Sequence, residues 1–169
     1  GAKLTLIAGE NAKITPARLR EKMTLVGNGI HSPQRGAVSI TQATEKGTIY
    51  RLEEIRALPA VARASGVAVH MDGARFANAV AHKGCSPADV TWRAGVDALS
   101  FGFTKNGAMM AEAMVFFGGS GGAGVRELKK RGGHLLSKGR YIAAQILAML
   151  RDDLWLNNAR SANRGAAVI

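Results

Sequence analysis

Gly66-Val67-Ala68-Val69-His70-Met71-Asp72-Gly73-Ala74-Arg75 is the stretch whose reading decides the fold. Val67–Met71 is a short apolar run closed by Gly66 on one side and by Asp72-Gly73 on the other, which predicts a strand. An Ala-rich helix over roughly Ala74–Ala81 follows the Asp72-Gly73 turn. Upstream, Arg51–Ser65 reads as a helix with apolar residues at Leu52, Ile55, Leu58 and Val61. Pro59 lies inside it and is expected to kink it. Gly36–Thr41 is a short buried strand candidate, and Thr15-Pro16 opens a helix to about Met23, with Thr15 as cap and Pro16 in the first turn. Gly27, Asn28 and Gly29 break that helix.

Downstream, Ser86-Pro87 starts a short helix ending near Gly95, and Val96–Phe101 and Glu112–Phe117 are strand candidates. Residues 118–124 read as a flexible or tight-turn loop, and helical pattern returns over Val125–Lys130 and Leu135–Leu150. Strands alternating with helices imply an α/β fold, with a mostly parallel sheet and flanking helices. Ligands of such sheets bind at the carboxyl ends of the strands, where the most polar motifs of this chain fall. No internal repeat or linker divides the 169 residues, a length that suits one domain.

Composition narrows the class. The chain is 47% hydrophobic and 21% charged, which supplies a core and argues against disorder. No apolar run approaches the ~18–20 residues of a membrane span, and the start lacks the features of a signal peptide. Cys85 is the only cysteine, so an internal disulfide and a multi-cysteine zinc site are excluded. It fits a small packed residue in a turn, and a single thiol suits a reducing cytoplasm. The net charge of +11 raises nucleic acid as a partner. The basic residues are spread along the chain, however, with the densest cluster at Lys129-Lys130-Arg131, and aromatic content is only 5%. The charge therefore reads as a solvated surface with a few anion ligands.

Two motifs offer chemistry. Asp72 stands at the end of an apolar strand, where its carboxylate faces the expected ligand crevice. A carboxylate beside a pyridine nitrogen keeps that nitrogen protonated, and the ring then draws electrons from a bound amino acid. Asp72 reads equally as a cap for the helix that begins at Gly73. Arg75 presents a planar fork suited to a carboxylate or phosphate. In Ser100-Phe101-Gly102-Phe103-Thr104-Lys105-Asn106-Gly107 a strand ends and a polar turn presents one lysine. A lysine amine forms an imine with an aldehyde, although Lys105 taken alone fits an exposed loop lysine better than a catalyst. Thr104 and Ser100 offer hydroxyls beside it.

Other features carry less. Gly119, Gly121 and Gly124 spell G-x-G-x-x-G, but no acid follows about 20 residues on to bind a ribose. His31, His82 and His134 show no metal spacing and read as surface or turn residues. Glu45 and Glu112 lie near strand ends, where they could support the first-named groups. Trp92 and Trp155 read as packing residues in helical segments.

Taken together, the motifs resemble the threonine aldolases. His70-Met71-Asp72-Gly73-Ala74-Arg75 is followed by Thr104-Lys105-Asn106-Gly107, with Lys105 33 positions after Asp72. The stretches I-T-Q-A-T-E-K-G-T-I-Y-R (40–51), H-M-D-G-A-R-F-A-N-A (70–79) and L-S-F-G-F-T-K-N-G (99–107) are similar to a bacterial branch of that family. The resemblance runs from about residue 4 to the end. It implies the fold-type I architecture of pyridoxal-phosphate enzymes and a retro-aldol cleavage of threonine or allo-threonine to glycine and acetaldehyde. It also implies that Lys105 carries the imine with the cofactor, that Asp72 pairs with the ring nitrogen, and that Arg75 contacts the phenolic oxygen or the substrate carboxylate. Thr104 falls among the cofactor-binding residues, Thr44 and Glu45 fall in a polar loop near the cofactor, and Lys138 near a neighbouring subunit's site. No metal enters.

The family places a ring-stacking histidine and a phosphate-binding loop upstream of residue 1, and a substrate-binding arginine in a small C-terminal domain. Residues 1–169 are therefore expected to be a partial large domain with little activity alone, poor solubility or self-association, and a homo-oligomeric parent. The resemblance implies a small β-hydroxy amino acid as substrate, with neither nucleic acid nor membrane as partner. The competing readings are another β-eliminating lyase of the same fold and a cofactor-free, anion-binding interaction module.

Overall fold

A computed structural model describes residues 2–27, 29–118 and 122–168. Strands β1 (Ala37–Thr41), β2 (Ala68–Gly73), β3 (Ala98–Gly102) and β4 (Glu112–Phe116) form one sheet in the order β1-β2-β3-β4. The first three are parallel, and β4 runs antiparallel to β3. Parallel neighbours need a crossover, which helices usually supply. Here α2 (Leu52–Ala64) joins β1 to β2, and α3 (Phe76–Lys83) lies between β2 and β3. A short loop without an α-helix connects β3 to β4, so β4 returns antiparallel. The α/β, mostly parallel architecture is the one expected, and all four strands lie within a residue or two of their predicted bounds.

Burial alternates along the strands. Val38, Ile40, Val69, Met71 and Leu99 join Ile55, Leu58 and Val61 of α2 and Phe76 and Val80 of α3 in one core. The alternate positions Ala37, Ser39 and Ala68 are exposed, so β1 is half-buried rather than wholly buried. Helix α1 (Pro16–Leu25) packs on α2. The Thr15 side chain accepts from the Arg18 N–H at 3.3 Å, as its place before Pro16 predicts. Helix α2 starts with the Glu54 carboxylate reaching back to the Arg51 N–H at 2.8 Å. It continues as a single helix through buried Pro59.

Three segments differ from expectation. Between Ser86 and Gly95 there is no α-helix; turns lead to a single 3-10 turn, Trp92–Ala94. Ser86 Oγ accepts from the Ala88 N–H at 3.3 Å and the Thr91 hydroxyl donates to Pro87 O at 2.7 Å. Such local bonds compete with a helix ladder. Trp92 is 52% exposed with the Arg93 guanidinium over its ring, so it is not a packing residue. The helix expected from Leu135 starts only at Gly139, as α5 (Gly139–Leu150), some way beyond the turn at Gly133, φ 75, that follows α4 (Val125–Arg131). A last helix, α6 (Leu154–Ala166), packs on α3 and buries Trp155 and Ala159.

Candidate functional site

Each parallel strand ends at the same edge of the sheet, and each carries one polar loop there. At the end of β2, Met71 enters the core while Asp72 stands half-buried on the opposite face. Asp72 Oδ1 accepts from the Ala74 N–H at 2.9 Å and turns the chain toward α3. The capping role is thus real but takes one oxygen; among the described residues Oδ2 has no protein partner. Arg75 sits at the N-cap of α3, half-buried, and its guanidinium has no hydrogen bond or ion pair among the described residues.

Two glycines bring this turn against β3. A Cβ on Gly73 would stand 2.7 Å from Leu99 Cδ1 and from Ser100 O. A Cβ on Gly102 would stand 2.7 Å from Ala74 Cα and 2.9 Å from Ala74 O. The Asp72–Arg75 turn therefore lies directly on the end of β3, three residues ahead of Lys105. Only glycine permits that approach.

Lys105 is exposed in the middle of a 3-10 turn, Thr104–Asn106. Its backbone is held from all sides. Phe103, 1% exposed, anchors the start of the loop, and its N–H donates to Ala111 O at 3.1 Å. Thr104 Oγ1 accepts from the Ala111 N–H at 3.2 Å and donates to Ala111 O at 3.3 Å, closing the loop on itself. Buried Asn106 donates through Nδ2 to Trp155 O at 2.9 Å, and Asn158 Nδ2 donates to Asn106 O at 2.9 Å. Gln145 Oε1 accepts from the N–H groups of Met109 and Met110 at 3.0 and 3.1 Å. The loop backbone is thus fixed, while the exposed Lys105 amine has no hydrogen bond or ion pair among the described residues.

At the end of β1, the buried Gln42 amide brackets Tyr50: Oε1 accepts from its N–H at 2.9 Å and Nε2 donates to its carbonyl at 3.2 Å. Thr44 is buried with Oγ1 2.7 Å from Thr48 Oγ1, so it shapes this loop, while Glu45 is exposed at its tip. Glu112 lies at the start of β4, its Oε2 close to Gly102. The edge thus gathers Asp72, Arg75, Thr104 and Lys105, with Glu45 and Glu112 at its rim. Lys138 is exposed just before α5.

Sequence reasoning passed over Asn106, Gln145 and Asn158. Asn106 stood within a motif already singled out; nothing local marks the other two. It also passed over the partners of His70, described below. Of the G-x-G-x-x-G glycines, Gly119 and Gly121 lie outside the described residues, and Gly124 precedes a helix with no buried residue. Two concavities of ≈ 440 and ≈ 700 Å³ lie beside α1 and do not reach Asp72, Arg75 or Lys105. Among the described residues no group of three His, Cys, Asp or Glu could hold a metal, and no helix is long and apolar enough to cross a membrane.

The family model described as β-eliminating lyase matches residues 1–168. The chain is 46% identical over all 169 residues to a low specificity L-threonine aldolase of Pseudomonas aeruginosa, covering 49% of that protein. It is 43% identical, with the same coverage, to a low specificity L-threonine aldolase of a Pseudomonas species. A solved structure of Leishmania major threonine aldolase superposes with a TM-score of 0.86 at 26% identity, over 94% of this chain and 46% of that one. The chain spans about half the length of the curated relatives it matches.

Proposed function

Because the chain belongs to the β-eliminating lyase family, we propose that residues 1–169 are part of the cofactor-binding domain of an L-threonine aldolase. That family is generally dependent on pyridoxal phosphate. The observation that carries the proposal is the close approach of Ala74 to Gly102, which sets the Asp72–Arg75 turn beside the locked Lys105 loop. The donor set fits the cofactor: an amine, a carboxylate oxygen and a guanidinium, none of them paired within the described residues. When bound, pyridoxal phosphate supplies an aldehyde and a protonated ring that draws electrons from an attached amino acid.

The residues divide the work. Lys105 offers its amine to the aldehyde, and its loop fixes where that amine can reach. Asp72 would hold the protonated ring nitrogen through its carboxylate, of which only Oδ1 is engaged, by the Ala74 N–H, among the described residues. Arg75 presents its fork to a phenolic oxygen or to the carboxylate of a small β-hydroxy amino acid. Thr104 keeps the loop closed through Ala111 and retains one further acceptor lone pair. Cleavage of the Cα–Cβ bond would take the proton from the β-hydroxyl, return one to Cα, and give glycine and an aldehyde. The parent protein is read as a homo-oligomer, a reading supported by exposed Tyr141, Leu147, Leu150 and Leu154 on α5 and α6, and as cytoplasmic, which the single free thiol of Cys85 suits. The +11 charge is read as solvated surface, since Arg126 and Lys129–Arg131 are all exposed.

The test is product analysis on the full-length gene product. Threonine should yield glycine and acetaldehyde, and Lys105→Ala should abolish both. Pyruvate from an amino acid with a β leaving group, in place of glycine from threonine, would reassign the chemistry to another lyase of this fold.

A further inference from the structure

A polar row crosses all four strands on the exposed face of the sheet. Ser39 Oγ lies 2.9 Å from His70 Nδ1, His70 Nε2 lies 2.8 Å from Ser100 Oγ, and Ser100 Oγ lies 3.7 Å from Met114 Sδ. Strand register makes the row: Ser39 is opposite His70, and Ser100 is opposite Met114. A thioether has no proton to give, so in the contact with Met114 the Ser100 hydroxyl is the donor. The two ring contacts fit either tautomer; with the Ser100 proton turned to Met114, the Ser100 oxygen accepts and the imidazole proton stands on Nε2. Nδ1 is left bare and accepts from the Ser39 hydroxyl. The row has one direction, from β1 to β4.

His70 and Asp72 alternate with Met71, so both side chains stand on this face, roughly 7 Å apart along the strand. The charged side chains that β1 to β4 carry here are Asp72 and Glu112; Thr41, Ala98 and Phe116 are uncharged. Burial pushes the His70 pKa below its usual value, with the Asp72 carboxylate pulling the other way.

We propose that His70 is a positioning residue for Asp72: the row holds it as an uncharged Nε2–H imidazole, so no cation on its own strand competes with the cofactor ring for the Asp72 carboxylate. The inference rests on the reading of Asp72 as the partner of the ring. Protonation of Nδ1 forces the Ser39 hydroxyl to turn round and sets a cation two residues from Asp72. Cofactor binding then weakens on the acid side.

The test starts without cofactor. Imidazole ¹⁵N shifts of this chain at pH 7 should show a protonated Nε2 and a bare Nδ1, with a midpoint below about 6.5. Ser100→Ala removes the Nε2 acceptor and should mix the tautomers. Pyridoxal-phosphate affinity is then followed against pH for the native chain and for His70→Asn. The ratio of native to variant affinity should fall about threefold as the pH drops through the His70 midpoint, the size expected for unit charges ~7 Å apart near water. A protonated Nδ1 at pH 7, tautomers unmoved by Ser100→Ala, or a flat ratio overturns the proposal. Absence of any adduct on Lys105 at every pH refutes the functional reading instead, and the tautomer spectrum still decides the row.

Discussion

The two faces of the sheet are built from alternate residues of the same strands, yet they differ in kind. Toward the helices, Val38, Ile40, Val69, Met71 and Leu99 are each at most 5% exposed. On the other side Ser39 and Met114 are exposed, His70, Asp72 and Ser100 half-buried, and four of these five, all but Asp72, are joined in one row of hydrogen bonds. A step of one residue thus separates the positions that hold the fold from those that present chemistry. The carboxyl edge inherits both properties: Phe103 and Asn106 are buried to either side of Lys105, which is exposed.

Cutting the same residue type on each face tests that division hardest. Met71→Ala should cost about 2–5 kcal/mol in urea unfolding, because it opens a cavity under the sheet. Met114→Ala, on the other face, should stay within about 0.5 kcal/mol. Equal losses would mean that the second face is also packed. Smaller, at about 1–3 kcal/mol, is Asn106→Ala, which leaves Trp155 O without its partner. Faster hydrogen exchange at Gly107 and Ala108 should accompany it, and unchanged exchange there would argue that Asn106 does not hold the lysine loop. Gln145→Ala should cost less than about 1 kcal/mol, since Met109 and Met110 are exposed and water can replace the lost acceptor.

The smallest effect is a pH dependence. The folded pKa of His70 is depressed below 6.5 mainly by burial. As the pH falls below about 6.5, the unfolded chain takes up the proton first. Stability should therefore decline from there until the folded midpoint is passed and then level off. His70→Asn should flatten this limb of a stability–pH curve, and a native curve without the limb would show that His70 is not shielded.

Much of this was legible in local signals. Thr15-Pro16, Gly66 and the turn at Asp72-Gly73 punctuate the chain close to where the elements begin and end, and placing Asp72 and Lys105 at strand ends put them at one edge. The uncovered face was not legible, because Val67–Met71, apolar but for His70, reads as a buried strand whichever face is open. Nor were the loop locks: Gln145, Trp155 and Asn158 act from 36, 49 and 52 residues away. Pairings of that range leave no periodicity behind. The break between α5 and α6 also escaped, since it rests on Asp152 and Asp153 at φ 50 and 55, a conformation few non-glycine residues adopt.

The central claim is that one lysine, fixed by its loop, meets the cofactor. The direct measurement is to incubate this chain with pyridoxal phosphate, reduce with borohydride, and locate the modified peptide by mass spectrometry, alongside Lys105→Ala. A label concentrated on Lys105 and lost in the variant is the predicted result. A label spread over exposed lysines such as Lys129, Lys130 and Lys138 and unchanged in Lys105→Ala would contradict it.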